Sequence, residues 1–527
     1  MARKFNTTGV CIPEQNYMVD ISRRLDTIVA DYIEEGKYFT INRARQYGKT
    51  TTLYLLEQRL QKQYLVIRIS FEAADEMFVS LYALAAGLVR KINRVLKSQK
   101  VEQSILEKWN QPVSEQFPFD DLGERIAGLC QDCDRKIILM IDEVDKSSDN
   151  QVFLSFLGLL RSKYLEQIQK NDNTFQSVIL AGVYDIKNLR LKLHPGEESK
   201  YNSPWNIAVD FTVDMDFGQE EIAAMLREYE ADYHTGMNIV EISRMIYEYT
   251  SGYPYLVSRI CQLVDERLAG TPEYPQRQDA WTRQGIIAAE LLLRRQPDTL
   301  FDDMIKKLAD YPKLKKMVHD ILFCGYTYSF EVDNYLISLA ATLGFIKDNN
   351  GIVAIRNRIF ETKLYDLFLS EMIMDEALDK AASAGRNQYI VDGMLQMNLV
   401  MEKFYQHFTE IYGDSDEKFI EKQGRKIFLL YLKPIINGTG NYYVEAQTRD
   451  AGRTDIIVDY HGRQYIIELK IWHGNEYNKR GESQLFRYLD SYGASMGYLL
   501  SFNFNKNKTT GIHEIVCNGK RIFEVVV

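Results

Sequence analysis

Residues 37–60 read KYFTINRARQYGKTTTLYLLEQRL, and the turn inside this stretch decides the fold. Residues 37–41 are an apolar run with the length of a short buried strand. Gly48, Lys49 and Thr50 follow and open a segment with helical spacing. Strand, tight loop and helix N-terminus together make a phosphate cradle. Backbone N–H groups curl inward there, and the helix dipole favours an anion. In such a loop Lys49 reaches the β and γ phosphates and Thr50 holds Mg2+, with Gly48 and Thr51 completing the nucleotide contacts. The full pattern asks for a glycine at position 43, where the chain has Arg43.

The other half of the site comes from RKIILMIDEVD (135–145), an apolar strand ending in Asp142 and Glu143. Asp142 would hold Mg2+ through water, and Glu143 would polarise the attacking water as a general base. LVIRISF (65–71) and SVILAGV (177–183) add two more strands, with helical stretches between. Strands alternating with helices give an α/β fold, a parallel sheet with helices on both faces. Residues 17–35 (YMVDISRRLDTIVADYIEE) space their apolar side chains like an amphipathic helix.

Five segments follow from the patterning: an ATPase core over 1–215, a helical lid over 216–295, a winged-helix-like domain over 296–375, a helical connector over 376–415 and a strand-rich domain over 416–527. The lid is broken at SGYPY (251–255). The winged-helix expectation rests on helices followed by LGFIKDNNGIVAI (343–355), where Asp348-Asn349-Asn350-Gly351 sits between apolar runs as a hairpin signal.

RARQYGKTT followed by ILMIDEVD resembles the AAA-like P-loop ATPases of bacteria and archaea related to the STAND and archaeal-ATPase branches. YMVD (17–20) is similar to the stretch that meets the nucleotide base in that group. SPWN (203–206) matches a Ser-Pro-aromatic-Asn turn, and SGYP (251–254) resembles a GxP motif opening a lid helix, here Gly252 and Pro254. The resemblance covers residues 5–375 and implies ATP as ligand. Its members often carry Pro-Arg at the loop start, so Arg43 is a mild departure. Tyr184 and Asp185 stand at the sensor-1 position without its usual polar group. Arg190 and Arg259 are arginine-finger candidates, with a surface or structural role as the alternative for each.

The C-terminal segment carries a second constellation. Two apolar runs, GRTDIIVDY (452–460) and YIIELK (465–470), flank a Gly-bearing turn, a hairpin pattern. Antiparallel pairing brings Asp455 beside residues 468–470, and Glu468 and Lys470 share a face. Asp455, Glu468 and the Leu469 carbonyl are hard oxygen ligands for Mg2+ or Mn2+. Lys470 can orient or deprotonate water and stabilise developing charge. The order Asp, then Glu-x-Lys, resembles the PD-(D/E)XK nuclease superfamily. SQLFRY (483–488) resembles the QxxxY helix motif of RecB-like members, with Gln484 and Tyr488 on one helical face. The resemblance implies an upstream helix acid; Glu421 is the first candidate, then Glu417, and Glu445 as a strand acid. His461 and His473 read as solvent- or DNA-facing rather than as metal ligands. Lys479, Arg480, Lys506, Lys508, Lys520 and Arg521 are phosphate contacts or a solvated basic face.

Charge is uneven. Residues 418–527 hold 16 Lys and Arg against 11 Asp and Glu, a net of +5, while the remainder nets −14. A basic tail domain on an acidic body points to nucleic acid as partner, DNA first. No apolar run is long enough to cross a membrane, and no apolar leader follows Met1. Six cysteines in 527 residues do not make a disulfide framework. Cys130 and Cys133 form a single CxxC that reads as two thiols at a helix end. These features fit a cytoplasmic protein. The sequence therefore predicts an ATP-regulated, metal-dependent nuclease acting on mobile DNA or in DNA processing, with a homo-oligomer as one assembly the ATPase resemblance allows. The alternative is a nucleotide-switched DNA-binding sensor or scaffold whose nuclease fold does not cut.

Overall fold

The computed structural model describes residues 3–144, 151–183, 204–324, 326–373, 386–412, 421–436, 440–447, 453–471, 475–503, 510–517 and 519–527. The chain divides into two compact units. One comprises Met1–Ile239, Gly252–Gln262 and Leu339–Gly344, and the other Val240–Ser251, Leu263–Ser338 and Phe345–Val527. The division cuts through the segment 216–295.

The first unit is built on a parallel sheet of β1 (Phe39–Asn42), β2 (Leu65–Ser70), β3 (Ile137–Asp142) and β4 (Ser177–Gly182), in the order β1-β4-β3-β2. β3 and β4 are buried at every position, which is why they read as continuous apolar runs rather than alternating ones. Val209 bridges Phe39 in parallel and adds a fifth position beyond β1. α1 (Lys49–Leu60) follows β1 through a turn that ends at its N-cap, Gly48. α2 (Leu81–Ser98), α3 (Pro118–Asp132) and α4 (Gln151–Ile168) supply the core around the sheet. Along α2, Leu84, Leu88, Ile92 and Leu96 recur every four residues and are buried, and Ser80 caps the helix by accepting from the Ala83 N–H. Burying each such aliphatic side chain contributes about 1.5–3 kcal/mol.

Trp205 is fully buried, and its indole N–H donates to Thr40 Oγ1 at 2.9 Å. The Pro-Trp-Asn turn of SPWN thus serves the core, fastening the stretch before Val209 to β1. Residues 17–35 differ from the amphipathic helix expected. Asn16 and Tyr17 pair with Lys4 and Phe5 as short strands, and helix starts only at Ser22–Ile28, widening into a π turn at Val29–Ile33. Two contacts delay it. The Tyr17 ring packs on Phe5 and Tyr229 at 5.2 and 5.1 Å, and the Asp20 carboxylate accepts from the Ser22 N–H.

α5 (Gln219–Tyr233) and α6 (Pro254–Leu263) follow, and α6 lies within the first unit up to Gln262. In the second unit α7 (Arg283–Arg295) precedes helices at Thr299–Asp310 and Pro312–His319 and, after Tyr335–Thr342, which ends in the first unit, the hairpin of β5 (Ile346–Asn349) and β6 (Ile352–Ile355). Its two-residue turn, Asn350 and Gly351, has positive φ at both positions, as the Asp-Asn-Asn-Gly signal anticipates. α8 (Arg358–Ile373) follows. The segment read as a helical connector contains a short hairpin, Ile390–Val391 with Met394–Leu395, before α9 (Met397–Tyr412). Asp392 and Gly393 form its turn with positive φ, a signal overlooked in so short an element.

The C-terminal part is a six-stranded mixed sheet beside α10 (Glu421–Ile436). Its strands are β7 (Gly440–Gln447), β8 (Arg453–Tyr460), β9 (Arg463–Ile471), β10 (Met496–Phe502), β11 (Gly511–Cys517) and β12 (Lys520–Val526), ordered β7-β8-β9-β10-β12-β11. β7, β8 and β9 pair antiparallel, while β9, β10 and β12 pair parallel. The parallel step from β9 to β10 needs a crossover, which α11 (Asn475–Tyr492) provides. Leu485 and Leu489 of α11 bury against Ile466, Leu499 and Ile522. The Arg294 guanidinium of α7 pairs with Glu290 and with Asp366 of α8 at 2.6 and 2.7 Å, and Lys433 of α10 donates to the Asp366 carbonyl.

Candidate functional site

Because β1, β3 and β4 run parallel, their C-terminal ends share one edge of the sheet, where α/β folds bind ligands. The Gly48 turn and the acidic strand end both lie there, with β4 between them. Gly48 is the N-cap of α1 at φ +79, a left-handed conformation that glycine adopts without strain. Lys49 is buried, and its ammonium donates to the carbonyls of Arg43 and Ala44 at 2.8 and 2.9 Å. Arg43 turns its own side chain away: it donates to the Val213 carbonyl and lies 5.3 Å from the Phe211 ring centroid. It is the Arg43 carbonyl, not its side chain, that meets the Lys49 ammonium.

Thr50 is half-buried at the helix start. Thr51 is buried, and its Oγ1 accepts from the Cys11 N–H at 3.1 Å, so it ties the N-terminal segment to α1. Asp142 ends β3, buried, and its Oδ1 accepts from the Glu143 N–H at 2.9 Å. Glu143 holds φ +58, a strained backbone for a non-glycine residue, of the sort found at active sites.

Beside Gly48 opens a largely apolar cavity of about 340 Å³. Met18 and Val19 of the YMVD stretch line it, together with Thr51, Thr52 and Phe217. Residues 6–9 and Cys11 form another wall. Nothing in their polar, aperiodic sequence marks them, because the wall is made by a loop folded back over α1.

The GxP segment docks on the same loop. Tyr253 donates from its hydroxyl to the Arg45 carbonyl, and its ring meets the Tyr47 ring edge-on at 4.6 Å. Gly252 stands at φ +76, where an added Cβ would lie 2.2 Å from the Phe217 carbonyl oxygen. Pro254 opens α6. Arg259 donates to Gln262 at 2.7 Å. Arg190, Tyr184 and Asp185 lie outside the described residues.

In the second unit the hairpin of β8 and β9 turns at His461 and Gly462, and His461 is exposed. The ladder runs from Tyr460–Arg463 to Ile456–Ile467. At Leu469 the backbone N–H instead donates to Asp455 Oδ2 at 2.7 Å. β9 stays paired with β10 out to Ile471–Phe502, so the sheet forks at Asp455 and Glu468. Glu468 is fully buried, and Lys470 Nζ sits 2.8 Å from its Oε1. Asp455 Oδ1 accepts from Arg425 Nη2 at 2.8 Å, an arginine of α10 that the motif reading missed. Gln484 Nε2 donates to the Tyr488 hydroxyl. Burial, then the nearby charges of Glu468 and Asp455, push the Tyr488 hydroxyl up, against the lowering effects of Gln484 and Lys470. Asp455, Glu468, Lys470, Gln484 and Tyr488 thus gather at one end of the sheet.

The donor set comprises two buried carboxylates and the Leu469 carbonyl. Each Asp455 oxygen accepts one of these hydrogen bonds, and a carboxylate has about four lone-pair sites, so capacity remains. Hard oxygens of this kind suit Mg2+ or Mn2+. Among the described residues no cluster of three His, Cys, Asp or Glu side chains forms, so water and substrate oxygens would complete such a shell. Glu417, His473, Lys506 and Lys508, and the side chains of Glu421, Glu445, Lys479 and Arg480, lie outside what is described. Lys520 pairs with Asp490, and Arg521 with Glu514 at 3.6 Å. Cys130 and Cys133 are free thiols, and no helix among the described residues is long and apolar enough to cross a membrane.

Residues 13–370 match the family described as AAA-like domain. No curated protein matches the chain. Among solved structures, a Walker-type ATPase of Pyrococcus abyssi is 15% identical at TM-score 0.44, over 68% of this chain and 99% of that one. The ORC2 protein of Aeropyrum pernix in ADPNP–ADP complexes is 11% identical at TM-score 0.41, over 70% and 98%. A RuvB point mutant of Thermotoga maritima is 11% identical at TM-score 0.32, over 64% and 92%.

Proposed function

The chain belongs to the AAA-like domain family, and on that premise we propose that it is an ATP-regulated, metal-dependent nuclease that hydrolyses phosphodiester bonds in DNA. In this reading residues 1–215 are the ATPase core, 216–295 a lid, 296–375 a winged-helix-like domain, 376–415 a connector and 416–527 a PD-(D/E)XK nuclease domain.

ATP binds with its base in the cavity lined by Met18 and Val19 and its phosphates at Gly48, Lys49, Thr50 and Thr51. Lys49 exchanges two loop carbonyls for phosphate oxygens, a charge-assisted gain. Asp142 and Thr50 would hold Mg2+, and Glu143 polarises the attacking water. Tyr253 carries the state of the loop to α6 through the Arg45 carbonyl.

At the other site, Asp455, Glu468 and the Leu469 carbonyl would hold Mg2+ or Mn2+. A bound ion there supplies charge stabilisation at the scissile phosphate and a more acidic water. Lys470, paired with Glu468, orients that water. Gln484 and Tyr488 line the approach.

The observation that carries this reading is the fork at Asp455. Its carboxylate is gripped by the Leu469 N–H and Arg425 directly beside the Glu468–Lys470 pair. Purified protein with Mg2+ or Mn2+, with and without ATP, should cut DNA, and D455N and K470A should lose at least about a hundredfold in rate. Intact substrates throughout, with RNA tested alongside DNA, or wild-type cutting by both variants, would sink the proposal. The Arg425–Asp455 ion pair favours one second reading, a nucleotide-switched DNA-binding scaffold that does not cut. Calorimetry decides: that reading requires no metal binding dependent on Asp455 and Glu468.

A further inference from the structure

We infer that Arg425 is a resident counter-cation of the nuclease-like site, and that divalent metal binds at Asp455 and Glu468 in competition with its guanidinium. The inference rests on the nuclease reading and deepens it, since it names what sets metal affinity there.

The arrangement is closed electrostatically. Arg425 Nη2 meets Asp455 Oδ1 at 2.8 Å, with the two side chains only 3% and 10% exposed. Lys470 meets Glu468 Oε1 at 2.8 Å, with the side chains 13% and 1% exposed. Among the described side chains, two carboxylates therefore face two cations, and that set of four is neutral. Buried carboxylates are costly without such partners. Arginine suits the role because it stays charged in any environment and presents donors in a rigid plane.

The packing of α10 puts it there. Gly424 lies where an added Cβ would be 2.4 Å from the Phe502 ring of β10, so the helix approaches the sheet closely at that point. Arg425 comes next in the chain and reaches across to β8. From that position the arginine cancels one carboxylate charge. A divalent ion placed between Asp455 and Glu468 adds two positive charges to a described set that Arg425 and Lys470 already neutralise. Repulsion between unit charges a few ångströms apart is worth several kcal/mol even at an effective dielectric of about 20. The guanidinium must yield ground to the metal, and its removal relieves that opposition.

The full-length protein, without nucleic acid or nucleotide, is titrated with Mn2+ by calorimetry and followed by thermal melting. R425Q and R425M, both neutral, should bind Mn2+ at least about tenfold more tightly than wild type. Either variant should melt lower without metal and recover most of the loss when saturated. R425K, which keeps the charge, should bind within about threefold of wild type. D455N should abolish the binding in every background. Unchanged or weaker Mn2+ binding by whichever neutral variant folds would overturn the inference while leaving the nuclease reading intact. Wild-type protein that binds no Mn2+, or binds it regardless of D455N, would bring down the nuclease reading and this inference with it.

Discussion

Gly252→Ala should destabilise the first unit by roughly 2–3 kcal/mol and weaken nucleotide binding as well. The residue holds φ +76, where an L side chain costs about 1–2 kcal/mol. Its Cβ would also sit 2.2 Å from the Phe217 carbonyl oxygen and 2.8 Å from the Phe217 nitrogen. Backbone must move by more than an ångström to reach ordinary contact. That movement breaks the bond from the Phe217 N–H to the Gly252 carbonyl, now 2.9 Å, for about another 1 kcal/mol. Gly236 gives the control: it has φ +72 with nothing within 4 Å of an added Cβ, so G236A bears only the conformational cost. Melting and urea unfolding of both variants isolate the clash, with G252A falling further by roughly 2–4 °C for each additional kcal/mol. A labelled ATP analogue reads the second consequence, since displacing Gly252 drags Tyr253 off Arg45 and Tyr47. If G252A matched G236A within about 0.5 kcal/mol, the close approach would be irrelevant to stability.

T40V leaves the buried Trp205 N–H without its acceptor and should cost about 1–3 kcal/mol in melting experiments, with T40S restoring most of it. K49A should weaken ATP binding by about ten- to a hundredfold in fluorescence titration, reflecting lost charge-assisted bonds to phosphate. Burial pushes the Cys130 thiol up to about 12, so it should resist disulfide-exchange reagents at pH 8 in the folded chain and react once unfolded. The sign follows from the neutral form being favoured in the fold. The contribution is complete below the ordinary thiol value near 8.5 and declines as pH rises past it, a loss that C130A should not show.

How much of this was legible depended on whether a signal was local. The four strands of the first unit declared themselves because a parallel strand buried on both faces must be apolar throughout. The two-residue turns at Asn350-Gly351 and His461-Gly462 were equally plain, since positive φ selects these residues. Asp455, Glu468 and Lys470 could be placed together because hairpin register is arithmetic. Other features were made by distant parts of the chain. Residues 6–11 become a cavity wall only once folded over α1, and Tyr17 leaves its helical pattern because Phe5 and Tyr229 claim its ring. Arg425 was passed over for a different reason: the motif looks for acids on that helix, and a cation one turn after Glu421 reads as surface.

The fork in the C-terminal sheet has a consequence for how its chemistry should be dissected. The Asp455 side chain takes the amide hydrogen of Leu469 at the point where β8 and β9 stop pairing. It acts as a wedge in a zipper as well as a charge. Alanine at 455 removes both, leaving that amide to find solvent or let the strands close. Asparagine removes the charge and the acceptor that faces Arg425, but its one carbonyl oxygen can still hold the Leu469 amide. Deuterium uptake at Leu469 therefore separates the two: slow in wild type and D455N, faster in D455A. A knock-out by alanine would report a reshaped cleft as readily as a missing ligand.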